Sequence, residues 1–208
     1  MTSITTLTII ASICVALITA IIGPIIVEYF KKLWINNDKK DEDLIYKDLE
    51  GSVLIDEQIE ILIKSLKADR VWVTQFHNGG HFYATGASIK KFSIFFETVA
   101  AGISKVQQQF QNTPTSFFSR SLKHLLENRE LCINNLDDKD ENNFGLKEQA
   151  QETGCKSTFM VALTTPGGKF HGTIAVEYVK EIHVFSDSEK NEIRTAAVFI
   201  SGLLSSMH

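Results

Sequence analysis

Only three prolines and three cysteines occur in 208 residues. So little proline excludes collagen-like and proline-rich chains, and three thiols are too few for the disulfide framework of a small secreted domain. Glycine is modest at 12, and neither an internal repeat nor a low-complexity tract is visible. An excess of one charge is missing too: Lys+Arg 21 against Asp+Glu 25 leaves a formal net charge of -4. Without a basic surplus the chain lacks the electrostatic footprint of a nucleic-acid binder, so no nucleic-acid partner is expected. What is present is 44% hydrophobic residues, 14 of all residues being Phe. That suffices for a core, and at about 150 residues per domain the length suits one domain with an appendage.

Charge is also absent locally, from Met1 to Val27. A helix from Ile4 to Val27 would cover roughly 36 Å, more than the roughly 30 Å of bilayer hydrocarbon. Pro24 and Gly23 fall near its exit, where a kink costs little. A cleaved signal peptide fits worse: no basic residue precedes the run, the run is too long, and no A-x-A pattern follows. Ser12-Ile13-Cys14 makes a poor lipidation site, because a bulky Ile precedes the Cys. Residues 1–30 are therefore expected to be a transmembrane anchor. Lys31, Lys32, Lys39 and Lys40 follow the span and none precedes it, with Tyr29, Phe30 and Trp34 as interfacial aromatics. The positive-inside rule then puts the amino terminus outside a cell membrane crossed once, and the remaining chain in the cytoplasm. Reduced Cys132 and Cys155 suit that compartment.

Residues 31–51 read as a charged juxtamembrane linker, or a weak helix broken at Gly51. From Ser52 the pattern sharpens. Ile55, Ile59, Leu62 and Leu66 recur at helical spacing, with acids early and Lys64 and Lys67 late, as the helix dipole favours. Such a stripe packs on its own domain or forms a seam between two copies. Beyond it the period becomes 2: Arg70–His77 alternates and runs into Asn78-Gly79-Gly80, a turn signal. Further strands are expected over 88–98 and 130–134, with a loop and then a helix over 107–128 and a short helix over 144–153 closed by Gly154. A hairpin joins 158–164 to 170–179 across Pro166-Gly167-Gly168. Ser186 and Glu189 form a capping box, and Ile193, Ala197, Ile200 and Leu204 mark the apolar face of a last helix.

The densest chemistry is His77-Asn78-Gly79-Gly80-His81-Phe82-Tyr83. Two imidazoles, an amide and flexible backbone at a strand end could grip an anion or a polar ligand. The candidate ligand-binding residues are thus His77, Asn78, Gly79, Gly80, His81 and Tyr83. An ordinary hairpin turn would look the same, since Asn-Gly turns need no ligand. Metal binding is poorly supported: the spacing is not that of H-E-x-x-H, and no third ligand is indicated.

The order of elements describes an α/β (α+β) sandwich with a largely antiparallel sheet. Its second half carries Gly154-Cys155-Lys156-Ser157-Thr158-Phe159-Met160-Val161-Ala162-Leu163, then Gly167-Gly168-Lys169, then His171-Gly172-Thr173-Ile174-Ala175-Val176-Glu177, and Phe185 before a capped helix. Over residues 52–206 the chain resembles a GAF domain, with Thr164 or Thr165 near where that family often has proline. The resemblance implies a sheet covered on one face by the first and last helices, with a pocket on the other face roofed by inserted loops and helices. GAF domains bind cyclic nucleotides, bilins, haem or other small molecules there, or bind nothing and dimerise through the terminal helices. No ligand signature is matched, so the cofactor is unassigned.

Cys132 and Cys155 suggest a comparison with the free methionine sulfoxide reductases, which are GAF-like and use paired thiols. Against it, Leu131-Cys132-Ile133 is the pattern of a buried core thiol, and buried Cys behaves as a small hydrophobe. No Ser-His-Asp order, P-loop or G-x-G-x-x-G is present, and the chain is not expected to be an enzyme. The expectation is a GAF-like antiparallel sheet flanked by helices over 52–208, preceded by one transmembrane helix. It would be a sensory or regulatory module that binds a small ligand and signals through a partner or a homodimer formed by helices 52–67 and 187–206. The alternative is a structural dimerisation or recruitment domain whose pocket is plugged by Phe92, Phe95, Phe96, Phe117 and Phe118.

Overall fold

The computed structural model describes residues 23–138 and 142–207. The apolar run Ile4–Val27 lies outside them except for its last turn, and Cys14 lies outside with it. Among the described residues no helix is long and apolar enough to cross a membrane. The chain divides into two compact units at Leu49 and Glu50. The first contributes the opening part of helix α1 (Gly23–Ser65), where Leu44, Ile45, Tyr46 and Leu49 are exposed.

A break at Gly51 was the expectation from sequence, and here the structure differs: α1 runs through it without interruption. The glycine serves contact instead. A Cβ there would stand 2.7 Å from Met207 Sδ, so the missing side chain makes room for the end of the last helix. A helix-interior glycine costs about 1 kcal/mol relative to alanine, which flanking turns and packing absorb.

The second unit holds six strands: β1 (Arg70–His81), β2 (Ser88–Val99), β3 (Thr113–Pro114), β4 (Glu130–Ile133), β5 (Ser157–Thr164) and β6 (Phe170–Tyr178). They form one sheet in the order β3-β2-β1-β6-β5-β4, with every neighbouring pair antiparallel. Three further helices are α2 (Ser119–Asn128), α3 (Lys147–Thr153) and α4 (Asp187–Met207). Gly154 closes α3 in the left-handed region at φ 72°. At the start of α4 the Ser186 N–H and hydroxyl both donate to Glu189 Oε2 at 2.7 Å, and the Glu189 N–H donates back to Ser186 Oγ at 3.3 Å. This is the reciprocal box expected from the sequence.

Alternation along the strands divides the interior in two. Val71, Val73, Phe159, Val161, Ile174 and Val176 face one way and pack on Ile55, Ile59 and Leu62 of α1 and on Ile193, Ala197 and Ile200 of α4. The intervening positions, Trp72, Met160 and Ala175, face the other way. There they meet Leu125 of α2, Ala150 of α3 and the loop residues Val106, Leu136 and Leu146. The first core is apolar. The second encloses the polar cluster described below.

The β1–β2 turn is displaced from its expected place. Pairing continues past Asn78-Gly79-Gly80, with Asn78 opposite Lys90 and His81 opposite Ser88. The chain reverses only over 82–87, where the Phe82 N–H donates to Ala87 O at 2.9 Å. The two glycines form a bulge instead, with the register slipping between Asn78 and His81 and Gly80 at φ 75°. An extra residue in one strand, placed on a left-handed glycine, is what such a bulge needs.

Candidate functional site

A cavity of about 80 Å³ lies between the second face of the sheet and the segments that cover it. Its floor is built by alternate residues: Arg70, Trp72 and Thr74 of β1, Thr158 and Met160 of β5, and Thr173 and Glu177 of β6. The ladder aligns them, pairing Arg70 with Glu177, Trp72 with Ala175 and Thr74 with Thr173. Thr158 stands opposite Glu177 on the other side. Phe92, Phe110, Phe118, Leu122 and Leu125 wall one side, and Leu136, Leu146, Gln149 and Ala150 close another. Phe118 packs edge-on to Phe92 and Phe110, with ring centroids 5.3 and 5.9 Å apart.

The five phenylalanines named above as a possible plug part company. Phe92 and Phe118 reach the cavity, Phe95 and Phe117 are exposed, and Phe96 packs against the opposite core. Phe110, on the loop before β3, joins the first two.

The floor carries a buried ion cluster. Arg70, only 1% exposed, donates from Nη1 to Glu177 Oε2 at 2.7 Å. Its Nη2 donates to the carbonyl oxygens of Ser104 and Thr153 at 3.1 and 3.2 Å. Its Nε lies 3.6 Å from Glu97 Oε1. Glu177 Oε1 accepts from the Trp72 indole at 3.0 Å, and Glu97 accepts the N–H groups of Val106 and Gln107. Burial pushes the Glu177 carboxyl up, against the pull of Arg70 and the Trp72 N–H. Thr74 Oγ1 and Thr173 Oγ1 share a hydrogen bond of 2.6 Å. Three buried polar atoms of cavity-lining residues have no hydrogen-bond partner: Arg70 Nε, Thr158 Oγ1 and Gln149 Oε1.

The two cysteines lie in different surroundings. Cys155 is buried at the cavity, where desolvation first and the Glu177 charge second push its thiol well above its ordinary range. A nucleophilic thiol needs the opposite shift. Cys132 is half-buried on β4, its Sγ 3.6 Å from Asn134 Oδ1.

The residues singled out from the sequence, His77, Asn78, Gly79, Gly80, His81 and Tyr83, sit at the far end of the β1–β2 hairpin, and none lines the cavity. His77 Nε2 is 2.9 Å from Ser93 Oγ, Asn78 Oδ1 accepts from Lys90 Nζ at 2.8 Å, and Tyr83 is fully exposed. Among the described residues no group of His, Cys, Asp or Glu is placed to hold a metal ion. The charged residues that line or adjoin the cavity carry a weaker signal in the sequence, because each lies in a strand. Their signal was charge within a buried β pattern: Arg70 opening β1, Glu97 in β2, and Glu177 between Val176 and Tyr178. Charged residues are almost never fully buried unless paired, so three such positions imply mutual pairing.

Outside the cavity, three carboxyls lie below the ordinary range. Burial works to raise Asp69, but the backbone N–H groups of Lys180 and Val179 and the Lys180 ammonium outweigh it. The Arg194 fork lowers Glu130 against burial. Burial opposes the lowering of Glu189 by Ser186 and His183. Groups depressed in the folded state give stability that is present above the unfolded value and lost as pH falls through the folded one. Raised Glu177 acts in the reverse sense, its contribution fading as pH rises through the folded value. Unfolding free energy is thus expected to drop below about pH 4, the ordinary carboxylate range. Urea titrations from pH 7 to pH 3 check this, and Asp69→Asn should reduce the acid slope; an unchanged slope would remove Asp69 from the account.

An antiparallel sheet with the first and last helices on one face and a roofed cavity on the other is the GAF fold. The structure is similar to the blue-light absorbing form of the PixJ GAF domain of Thermosynechococcus elongatus, with TM-score 0.61 and 15% identity, covering 78% of this chain and 89% of that one. It is also similar to the phycoerythrobilin-bound GAF domain of a cyanobacterial phytochrome, with TM-score 0.56 and 13% identity over 79% of this chain and 96% of that one. A GAF domain region from Geobacter sulfurreducens gives TM-score 0.56 and 15% identity over 79% of this chain and 99% of that one. No family profile and no curated protein sequence matches the chain. The globular unit is therefore GAF-like in fold.

Proposed function

We propose that this chain is a membrane-anchored sensory or regulatory module, not an enzyme, that holds a small molecule in the cavity beneath α2 and α3. The observation that carries the reading is the cavity floor. A paired charged cluster, in which Arg70 Nε makes no hydrogen bond but lies 3.6 Å from Glu97 Oε1, sits beside two further buried polar atoms with no protein partner, Thr158 Oγ1 and Gln149 Oε1. Buried polar atoms of that kind are rare and call for an explanation, and a bound ligand supplies one. Similar folds include a domain that holds phycoerythrobilin, but about 80 Å³ favours something far smaller than a tetrapyrrole.

The terminal helices supply the output. Val53, Leu54 and Ile61 of α1 and Val198 and Phe199 of α4 are apolar and exposed, which supports a homodimer seam across helices 52–67 and 187–206. Ligand binding that favours one packing of these helices would then pass to the apolar amino-terminal segment or to a partner protein. The uncharged run Ile4–Val27 supports the anchor, and the lysines after it support a cytoplasmic domain.

Native mass spectrometry of the detergent-solubilised full chain tests the reading. A dimer should appear, carrying a small adduct released on denaturation, and Val198→Asp with Phe199→Asp should give monomer. A dimer with no adduct from any growth condition would favour the alternative of a purely structural dimerisation domain.

A further inference from the structure

The cavity's own hydrogen-bonding inventory limits what it can hold. An anion would need free donors, and Arg70 offers little: its Nη atoms serve Glu177 and the carbonyls of Ser104 and Thr153, and its Nε, which makes no hydrogen bond, is held 3.6 Å from Glu97 Oε1 in an ion pair. One guanidinium set against two carboxylates leaves the cluster acidic when all three are ionised, so an anionic ligand would enter an unfavourable field. Apart from that Nε, held against Glu97, the unsatisfied capacity is that of acceptors. Gln149 Oε1 can only accept, and Thr158 Oγ1 can accept as well as donate. Thr158 is 1% exposed and stands directly across the ladder from Glu177. Around these atoms the walls are leucine, phenylalanine, methionine and alanine. The volume of about 80 Å³ is near half of the roughly 150 Å³ that accommodates benzene in an apolar protein cavity.

We propose that the ligand is a small uncharged or cationic hydrogen-bond donor, an alcohol, amide or protonated amine on an apolar body of about three or four heavy atoms, and that anions are rejected. The donor head faces Thr158 Oγ1 and Gln149 Oε1, and the body lies against Leu125, Phe118 and Met160. This rests on the reading of the cavity as a ligand site and adds the chemistry of the ligand.

Trp72 lines the cavity and is one of 2 tryptophans, so its emission can report occupancy in a Trp34→Phe background. The full chain in detergent is titrated at pH 7 with isobutanol, isobutylamine, isobutyrate and xenon. Isobutanol and isobutylamine are expected to give saturable shifts, with Kd about tenfold or more below that of isobutyrate. Thr158→Val is expected to weaken both donors several-fold and leave xenon unchanged. Gln149→Leu, at a half-exposed position on α3, should act in the same direction if Thr158→Val does not fold. Isobutyrate binding as tightly as isobutylamine would overturn the proposal, and so would donor affinities unmoved in both variants. In those outcomes a xenon response still leaves a cavity that takes ligands. If neither xenon nor any other probe moves Trp72, the cavity reading itself fails along with the proposed function.

Discussion

Gly172→Ala is expected to cost about 3 kcal/mol or more in urea unfolding, because the added carbon has nowhere to go. A Cβ at this position would lie 2.1 Å from Thr74 O and 3.1 Å from the carbon that bears it. Both are backbone atoms of β1, paired with β6 in the middle of the sheet, so no side chain can swing aside. Relief would require separating the two strands, and with them the register that places Arg70 beside Glu177. Gly202→Ala is the internal comparison. Gly202 sits within α4 with nothing within 4 Å of an added Cβ, so alanine there should raise stability by up to about 1 kcal/mol. Equal effects at the two positions would contradict the described approach of β6 to β1.

Arg70→Met is expected to cost about 3–5 kcal/mol at neutral pH, the range for removing one partner of a buried ion pair. Two buried carboxylates, Glu97 and Glu177, would be left facing each other without their shared cation. The Glu177 carboxyl, already raised by burial, then loses the opposing pull of Arg70 and rises further, and stability from a raised carboxyl is present below the unfolded value and lost as pH rises through the folded one. The variant should therefore lose more stability at pH 8 than at pH 5. Glu177→Gln should be milder, about 1–2 kcal/mol. Arg70 keeps Glu97 and two carbonyls there, and the glutamine oxygen can still accept in one of the two places, from Arg70 Nη1 or from Trp72, while its NH2 takes the other. Urea titrations at both pH values decide. A cost for Arg70→Met below about 1 kcal/mol, independent of pH, would mean that the cluster is not buried as described.

The exposed hairpin and the buried site mark two kinds of information in the chain. His77 and His81 stand out in a linear reading because imidazoles beside glycines advertise chemistry. Yet they lie at a strand end that folds away from the cavity. Arg70, Glu97 and Glu177 drew no attention, since each is one charge among many until the sheet is assembled. Sequence separations of 27 and 107 residues bring them together, and only the β2-β1-β6 order does so. The Gly51 break and the Asn78-Gly79-Gly80 turn misled for the same reason. A glycine's local freedom is the same in a turn, a bulge or a close contact, and the neighbour decides which one it serves.

Local periodicity by itself determined most strands and helices of the globular unit, the capping box at Ser186 and Glu189, and the choice of an antiparallel sheet with helices. Each of these follows from spacings within a few residues, where side-chain direction is set by the backbone. Tertiary structure alone decided where α1 continues, which phenylalanines reach the cavity, and which polar groups meet on its floor. Those outcomes depend on contacts between residues far apart in the chain, and no short-range pattern encodes which distant partner will satisfy a buried charge.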